Sequence, residues 1–346
     1  MLNNSWFKKE RPLQGLLGSG GGLAVGSSSD PFEATGGTKI TDGDYTYHVF
    51  ISDTPAPAKS LVISEGTREN CEILVVGGGG GTGFDNAGGG GAGGVAHVPA
   101  ITLEPGTHPV SIGAASAYSP TRAVNFPWKG NDSTYVHPLG TITGKGGGCP
   151  GAQNNSGPYE INDPAQDGGS GAGGRRTNPN ADPSYTAAQS SAIQPTQNPG
   201  YPVTVNNYGN DGGSAESGGA TYWFGGGGGG AGAAGQSYNS GHDGGAGQPF
   251  PTFPGPVTAP ALAPVSPTAE SDYTTARGPT HLIAGGGGGS SETPSSAGSG
   301  GGGGGGTGGG PSGPATGIYG TGGGAGGGNG SGGPGGSGIV MVRYLT

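Results

Sequence analysis

The sequence predicts an all-β protein: a small β-sandwich base carrying an inserted polyglycine II helix bundle and Pro-rich loops, with almost no α-helix. Three observations lead there. Strand-like patterns occupy 38–113 and 339–345, solid Gly blocks fill the region between them, and Pro recurs every few residues with hardly any helical periodicity. Of 346 residues 88 are Gly and 30 are Pro, while only 29% are hydrophobic, so one large apolar core cannot form. The Gly residues stand in blocks (77–81, 225–230, 285–289, 300–306) and not at every third position, which excludes a collagen triple helix.

Taken in order, residues 1–30 read as an arm: an aromatic-basic head, Trp6-Phe7-Lys8-Lys9-Glu10-Arg11-Pro12, and a Gly/Ser linker. Lys39-Ile40-Thr41 and the alternating run Tyr45 to Phe50 flank Asp42-Gly43, a strong hairpin signal. Leu61-Val62-Ile63 and Glu72-Ile73-Leu74-Val75-Val76 supply two more strands. Val95 to Val98, Ile101-Thr102-Leu103 and Pro109 to Ile112 follow, the last after the turn Glu104-Pro105-Gly106-Thr107. Ile339 to Tyr344 is the final strand. The expected division is therefore 1–30 as an anchoring arm, 31–113 plus 337–346 as the sandwich, and 114–336 as the glycine-rich region, which the blocks at 77–94 also join.

Ordered Gly blocks need a compensating interaction, because Gly loses more conformational freedom on folding than any other residue. Side chains cannot provide it here. Every Gly does carry an N–H and a C=O, and an extended helix of three residues per turn leaves both pointing outward. Neighbouring helices without Cβ atoms can approach and bond to one another. The competing reading is that the blocks are flexible linkers held by a partner.

Signals for chemistry are weak. Gly78-x-Gly80-x-x-Gly83 follows a strand as a dinucleotide fingerprint does, but no helix can follow it. Gly144-Lys145 lacks the upstream Gly of a phosphate loop, where Leu139 stands, and Gly146 replaces its Ser/Thr. The six histidines are scattered without metal-ligand spacing and are expected at the surface or in turns. Asp42-Gly43-Asp44 falls short of a calcium loop and of a carboxylate pair for glycoside hydrolysis. The expectation is no enzyme, no metal and no cofactor. A net charge of −9 argues against nucleic acid, no apolar stretch reaches membrane-spanning length, and Met1 to Glu10 lacks the apolar core of a secretion signal. Cys71 and Cys149 read as free thiols.

Aromatic groups are more telling than catalytic types. Phe126-Pro127-Trp128, Tyr222-Trp223-Phe224 and Phe250-Pro251-Thr252-Phe253 lie between Gly blocks, either as exposed contacts for a sugar or a partner pocket or as small cores closing the bundle ends. As exposed contacts, the candidates are Trp128, Tyr222, Trp223 and Phe224.

Six pieces occur in a telling order: Tyr45 to Phe50, Leu61-Val62-Ile63, Cys71 to Val76 running into Gly77–Gly81, Gly88–Gly94 with Val95, Ile101 to Thr107, and Gly335 to Tyr344. Together they closely resemble the glycine-rich domain of tailed-phage tail-fibre and adhesin proteins. The resemblance implies a small β-sandwich with a polyglycine II lattice like that of T-even-like tip adhesins, whose loops recognise host receptors. The head Asn4 to Leu13 is similar to the starts of virion proteins of phages of marine cyanobacteria. In this chain the segments 114–143, 175–207 and 248–283 are longer and richer in Pro than the adhesin pattern. The expected protein is a virion component made in the host cytoplasm, docked on another tail or capsid protein through Trp6, Phe7, Lys8, Lys9 and Arg11. It would face a host-surface glycan or protein, with a homo-oligomer left open. The alternative is a capsid decoration or cement protein, and a free ice- or glycan-binding protein comes third.

Overall fold

The computed structural model describes residues 31–52, 59–83, 87–117, 129–151, 165–175, 189–196, 198, 200–215, 224–266, 268–292, 296–309, 313–329 and 331–346. Its strands are β1 (Glu33–Thr35), β2 (Thr38–Asp42), β3 (Tyr45–Ile51), β4 (Lys59–Glu65), β5 (Arg68–Val76), β6 (Val95–Leu103), β7 (Gly106–Ser111), β8 (Ser133–His137), β9 (Gly140–Gly144), β10 (Asn206–Tyr208), β11 (Gln248–Pro249), β12 (Leu282–Ile283) and β13 (Ile339–Leu345). They form a five-stranded sheet, β1-β4-β7-β8-β9, a six-stranded sheet, β10-β6-β5-β13-β3-β2, and the pair β11-β12. All pairings within strands are antiparallel. The β2–β3 hairpin turns where Asp42-Gly43 predicts it, with Gly43 at a φ of 56° that primed hairpin turns need.

The two larger sheets pack face to face over Phe50, Leu61, Ile63, Cys71, Ile73, Val75, Val98, Leu103, Tyr135, Ile142, Val340 and Val342. The opposite face of the six-stranded sheet is covered too. A cap spanning 248–284, with the short helix α1 (Gly255–Thr258) and α2 (Ala269–Arg277), lays Phe250, Phe253, Leu262, Tyr273 and Ile283 on Val49, Ile51, Leu74, Val76, Ile339 and Met341. Burial on both faces explains why β5 and β13 read as unbroken apolar runs instead of alternating ones. Phe250 and Phe253 thus belong to a core and are not exposed contacts. Neither Cys71 nor Cys149 is in a disulfide, both are buried, and burial pushes the Cys71 thiol up to about 12.

Two polar clusters fasten the cap. Glu72 accepts hydrogen bonds from His97 Nε2 at 2.7 Å, Thr252 Oγ1 at 2.7 Å and Arg343 at 2.9 Å, tying β5, β6 and β13 to the cap. Arg343 also lies over the Tyr45 ring, 3.5 Å from its centroid. Fully buried Arg277 donates to the hydroxyls of Thr258 and Tyr273 and to the carbonyls of His281 and Leu282.

Two sequence expectations need correction. Residues 114–336 contribute β8, β9 and β10 to the sheets, so the sandwich is not confined to 31–113 plus 337–346. Alternation in Thr134-Tyr135-Val136 and Thr141-Ile142-Thr143 about Pro138-Leu139 is the signal for that hairpin. Second, His48, His108 and His137 are buried in strands, not at the surface or in turns, because they occupy inward positions of the alternation. His48 Nδ1 stands 2.7 Å from the Gly36 carbonyl and must donate, so Nε2 accepts from the Tyr344 hydroxyl at 2.9 Å.

Burial, with Lys39 nearby, holds His48 below the usual histidine range against the opposing Gly36 hydrogen bond, and burial does the same to His137. Their contribution to stability is present above the unfolded value of about 6.5 and is lost as pH falls through the lower folded values. The melting temperature is therefore expected to fall on titration from pH 7.5 to 5, and His48→Gln should flatten part of that slope. An unchanged slope in this variant would refute the assignment.

The Gly blocks form a lattice held by the backbone. Along 87–94 the hydrogen-bond partners repeat every third residue. Ala87, Gly90 and Gly93 donate to Gly328, Ala325 and Gly322; Gly89 and Ala92 donate to Gly226 and Gly229; Gly91 and Gly94 donate to Gly148 and Lys145. Its carbonyls accept from three further segments, through Gly77 and Gly80, Ser170 and Gly173, and Gly287 and Ser290. A segment with three donor and three acceptor neighbours, stepping by three, has the geometry of a polyglycine II helix. Partner numbers rise together for 226–229 and run oppositely for 322–328, so the lattice takes neighbours of either polarity.

Gly is required by distance. A Cβ on Gly89, Gly90 or Gly91 would run into the carbonyl oxygen of Gly287, Gly80 or Ser170. Where a backbone partner is missing, side chains substitute. Carboxylates of Asp132, Asp167, Asp211 and Asp243 accept from the N–H of Gly146, Ser191, Ala192 and Ser299 at 2.7–2.8 Å. Ser133 Oγ donates to the Val76 carbonyl and accepts from Gly113 N.

Candidate functional site

The lattice has two unlike ends. One is rooted in the sheets: Gly77 follows β5, Gly94 leads into β6, Lys145 follows β9, Gly209 follows β10, and Gly338 leads into β13. The other is where outgoing segments turn back. Its level is marked by the bonds of Thr82 to Gly333, Ala87 to Gly328, Gln166 to Cys149, Gly174 to Gly213, Gly225 to Ser290, Gly289 to His242 and Gly309 to Gly327. The described residues flanking 84–86, 152–164, 216–223, 293–295 and 310–312 all reach this far level. Gly151, Gly309 and Gly313, for example, are the last or first described residues beside such segments. The entry at Pro31–Phe32, by contrast, lies on the sandwich, where the Phe32 ring meets Tyr344 edge-on at 4.9 Å and Arg68 lies over it.

Phe224 is the one sequence-predicted contact residue among the described positions. It pairs with Ser291 as an isolated antiparallel bridge, is half-buried, and stacks on His242 with ring centroids 5.4 Å apart. His242 is braced in turn by its Nε2 contact with the Ser296 carbonyl and takes a left-handed φ of 45°, rare for a non-Gly residue. Beside it the chain turns through Tyr238–Ser240 and Gly241. The far end thus holds at least one aromatic face in a fixed orientation on a rigid support. Trp128, Tyr222 and Trp223 fall outside the described residues, as do Trp6, Phe7, Lys8, Lys9 and Arg11.

The Glu72–His97–Arg343 cluster has the residue types for proton chemistry, yet the Glu72 carboxylate is already shared by His97, Thr252 and Arg343 and lies between sheet and cap. Among the described residues no three His, Cys, Asp or Glu side chains converge as a metal site requires, and no helix is long and apolar enough to cross a membrane.

Among curated proteins none matches the chain. The glycine-rich domain family matches residues 56–345, a span that takes in both the strands and the lattice. With strands β4 to β13 and the Gly blocks of the lattice inside that span, the chain belongs to the glycine-rich domain family.

Proposed function

We propose that the chain is a non-enzymatic structural protein of a tailed-phage particle, a tail-fibre or adhesin component attached through residues 1–30 and offering the far end of its lattice to the host surface. The observation that carries this reading is polarity: Phe32, near the start of the described residues, packs on the sandwich, while Phe224 and its stack on His242 lie at the opposite end of the lattice. Six-neighbour bonding makes the lattice a stiff support, so residues mounted on it have little freedom left to lose on binding. Aromatic faces suit that role, since they combine large contact area with few rotatable bonds. Phe224, Trp128, Tyr222 and Trp223 are the proposed contacts with a host glycan or protein, and Trp6, Phe7, Lys8, Lys9 and Arg11 the proposed docking residues on a neighbouring virion protein.

Particles assembled with a chain lacking residues 1–30 are expected to lose the protein altogether. Trp223→Ala is expected to weaken adsorption of particles to host cells about tenfold, the equivalent of roughly 1.4 kcal/mol, at an unchanged melting temperature. Normal incorporation without the arm would refute the anchoring role. Normal adsorption by both Trp128→Ala and Trp223→Ala would refute the contact role.

A further inference from the structure

The last strand of the fold sits in the middle of the larger sheet. β13 lies between β3 and β5, with Ile339 opposite both Ile51 and Val76, and Val342 opposite both His48 and Ile73. Its side chains supply both cores: Val340, Val342 and Tyr344 enter the layer between the sheets, Ile339 and Met341 the layer under the cap. Arg343 completes the Glu72 cluster, and Tyr344 supplies the hydroxyl that His48 accepts from. Without β13 the sheet falls into two pieces, β2-β3 and β10-β6-β5, and a lone two-stranded hairpin such as β2-β3 is barely stable in water. The segment leading into β13 also bonds the lattice, through Gly336 to Gly79, Gly333 to Thr82 and Ser337 to Gly322.

We propose that residues 339–345 are a closing latch: the slot between β3 and β5 is a strand acceptor that stays open while residues 31–338 are made, and the sandwich and its lattice lock only when this strand enters. The two walls of the slot come from parts of the chain well over 200 residues upstream, so closure is a long-range event and comes late. Unlocked chains would expose the apolar faces of β3 and β5. An incomplete copy would therefore be excluded from any assembly that needs the finished fold.

Pulsed hydrogen exchange during refolding of the whole chain tests this. Amides of Val340 and Val342, their partners in β3 and β5, and lattice amides of Ala87, Gly90 and Gly93 are expected to gain protection in one concentration-independent step. Lattice protection preceding that of Val340 and Val342 would overturn the proposal. A chain stopped after Gly338 is expected to show no cooperative melting, and a synthetic peptide of residues 336–346 should restore it saturably while a scrambled peptide does not. Cooperative melting of the shortened chain alone overturns the latch, and failure of the peptide to bind overturns the strand-acceptor slot.

Discussion

Gly90→Val is expected to leave little or no folded protein at 25 °C. Gly90 belongs to the central lattice helix, and a Cβ there would press on the Gly80 carbonyl, whose oxygen accepts from Ala325 N at 3.0 Å. Ala325 in turn accepts from Gly90 itself. The three segments cannot separate at one point without breaking bonds that each also makes elsewhere. Overpacking in ordinary cores costs about 1–3 kcal/mol because side chains can shift. Here the obstacle is backbone on all sides, so the cost should exceed that range and consume much of a total stability of roughly 5–15 kcal/mol. Gly255→Ala is the contrasting case. Its new methyl would meet Arg277 Cβ at 3.4 Å, an ordinary contact, in a helical turn where Ala is favoured by about 0.5–1 kcal/mol. Thermal melting of the two variants should separate them by tens of degrees, and similar melting points would mean that the lattice tolerates Cβ atoms.

Glu72→Ala should be the costliest single loss of a polar side chain, at about 3 kcal/mol. The substitution leaves Arg343, His97 and Thr252 without their shared acceptor in a nearly dry interface. Glu72→Gln keeps the shape and one acceptor oxygen, so it should cost less. Burial works to raise the Glu72 carboxyl, but hydrogen bonds from His97, Thr252 and Arg343 outweigh it and hold the group below its ordinary value. A lowered folded value means that this stabilisation is present above the unfolded value of about 4.3 and disappears as pH falls through the folded one. The wild type should therefore lose more stability than Glu72→Gln between pH 5 and 3, and denaturant titrations at both pH values measure the difference. Equal losses would show that the cluster is not what anchors the cap to the sheet.

The cap also shows where local patterns stop being informative. Its helix α2 buries only Ala269, Tyr273 and Arg277, a stripe too thin and too polar to stand out in a Pro-rich stretch. What makes it a helix is the apolar outer face of the six-stranded sheet, which must be covered by something. Phe250 and Phe253 read in sequence equally as exposed contacts or as small cores at the bundle ends for the same reason: nothing near them in the chain reveals the sheet they cover. Phe224 is legible as an aromatic beside a Gly block, but its stacking on His242 depends on a left-handed turn that a histidine seldom takes.

By itself the sequence determined the local terms. Asp42-Gly43 sets a hairpin, the runs at 73–76 and 339–342 set strands, and the Gly blocks demand a backbone-bonded lattice because no side chains are present to hold them. Only the tertiary structure decided which block lies beside which and which strand closes the sheet. Gly blocks are chemically alike, so a bond from Gly90 to Ala325 or to any other lattice residue has the same intrinsic strength. Register comes instead from the few unlike residues at the margins, among them Asp132, Asp243, Thr82 and Ser133, and from the sheets in which the segments are rooted. Those constraints link residues hundreds of positions apart, such as Thr82 with Gly333 and Glu72 with Arg343, and no local pattern records a contact made at that distance.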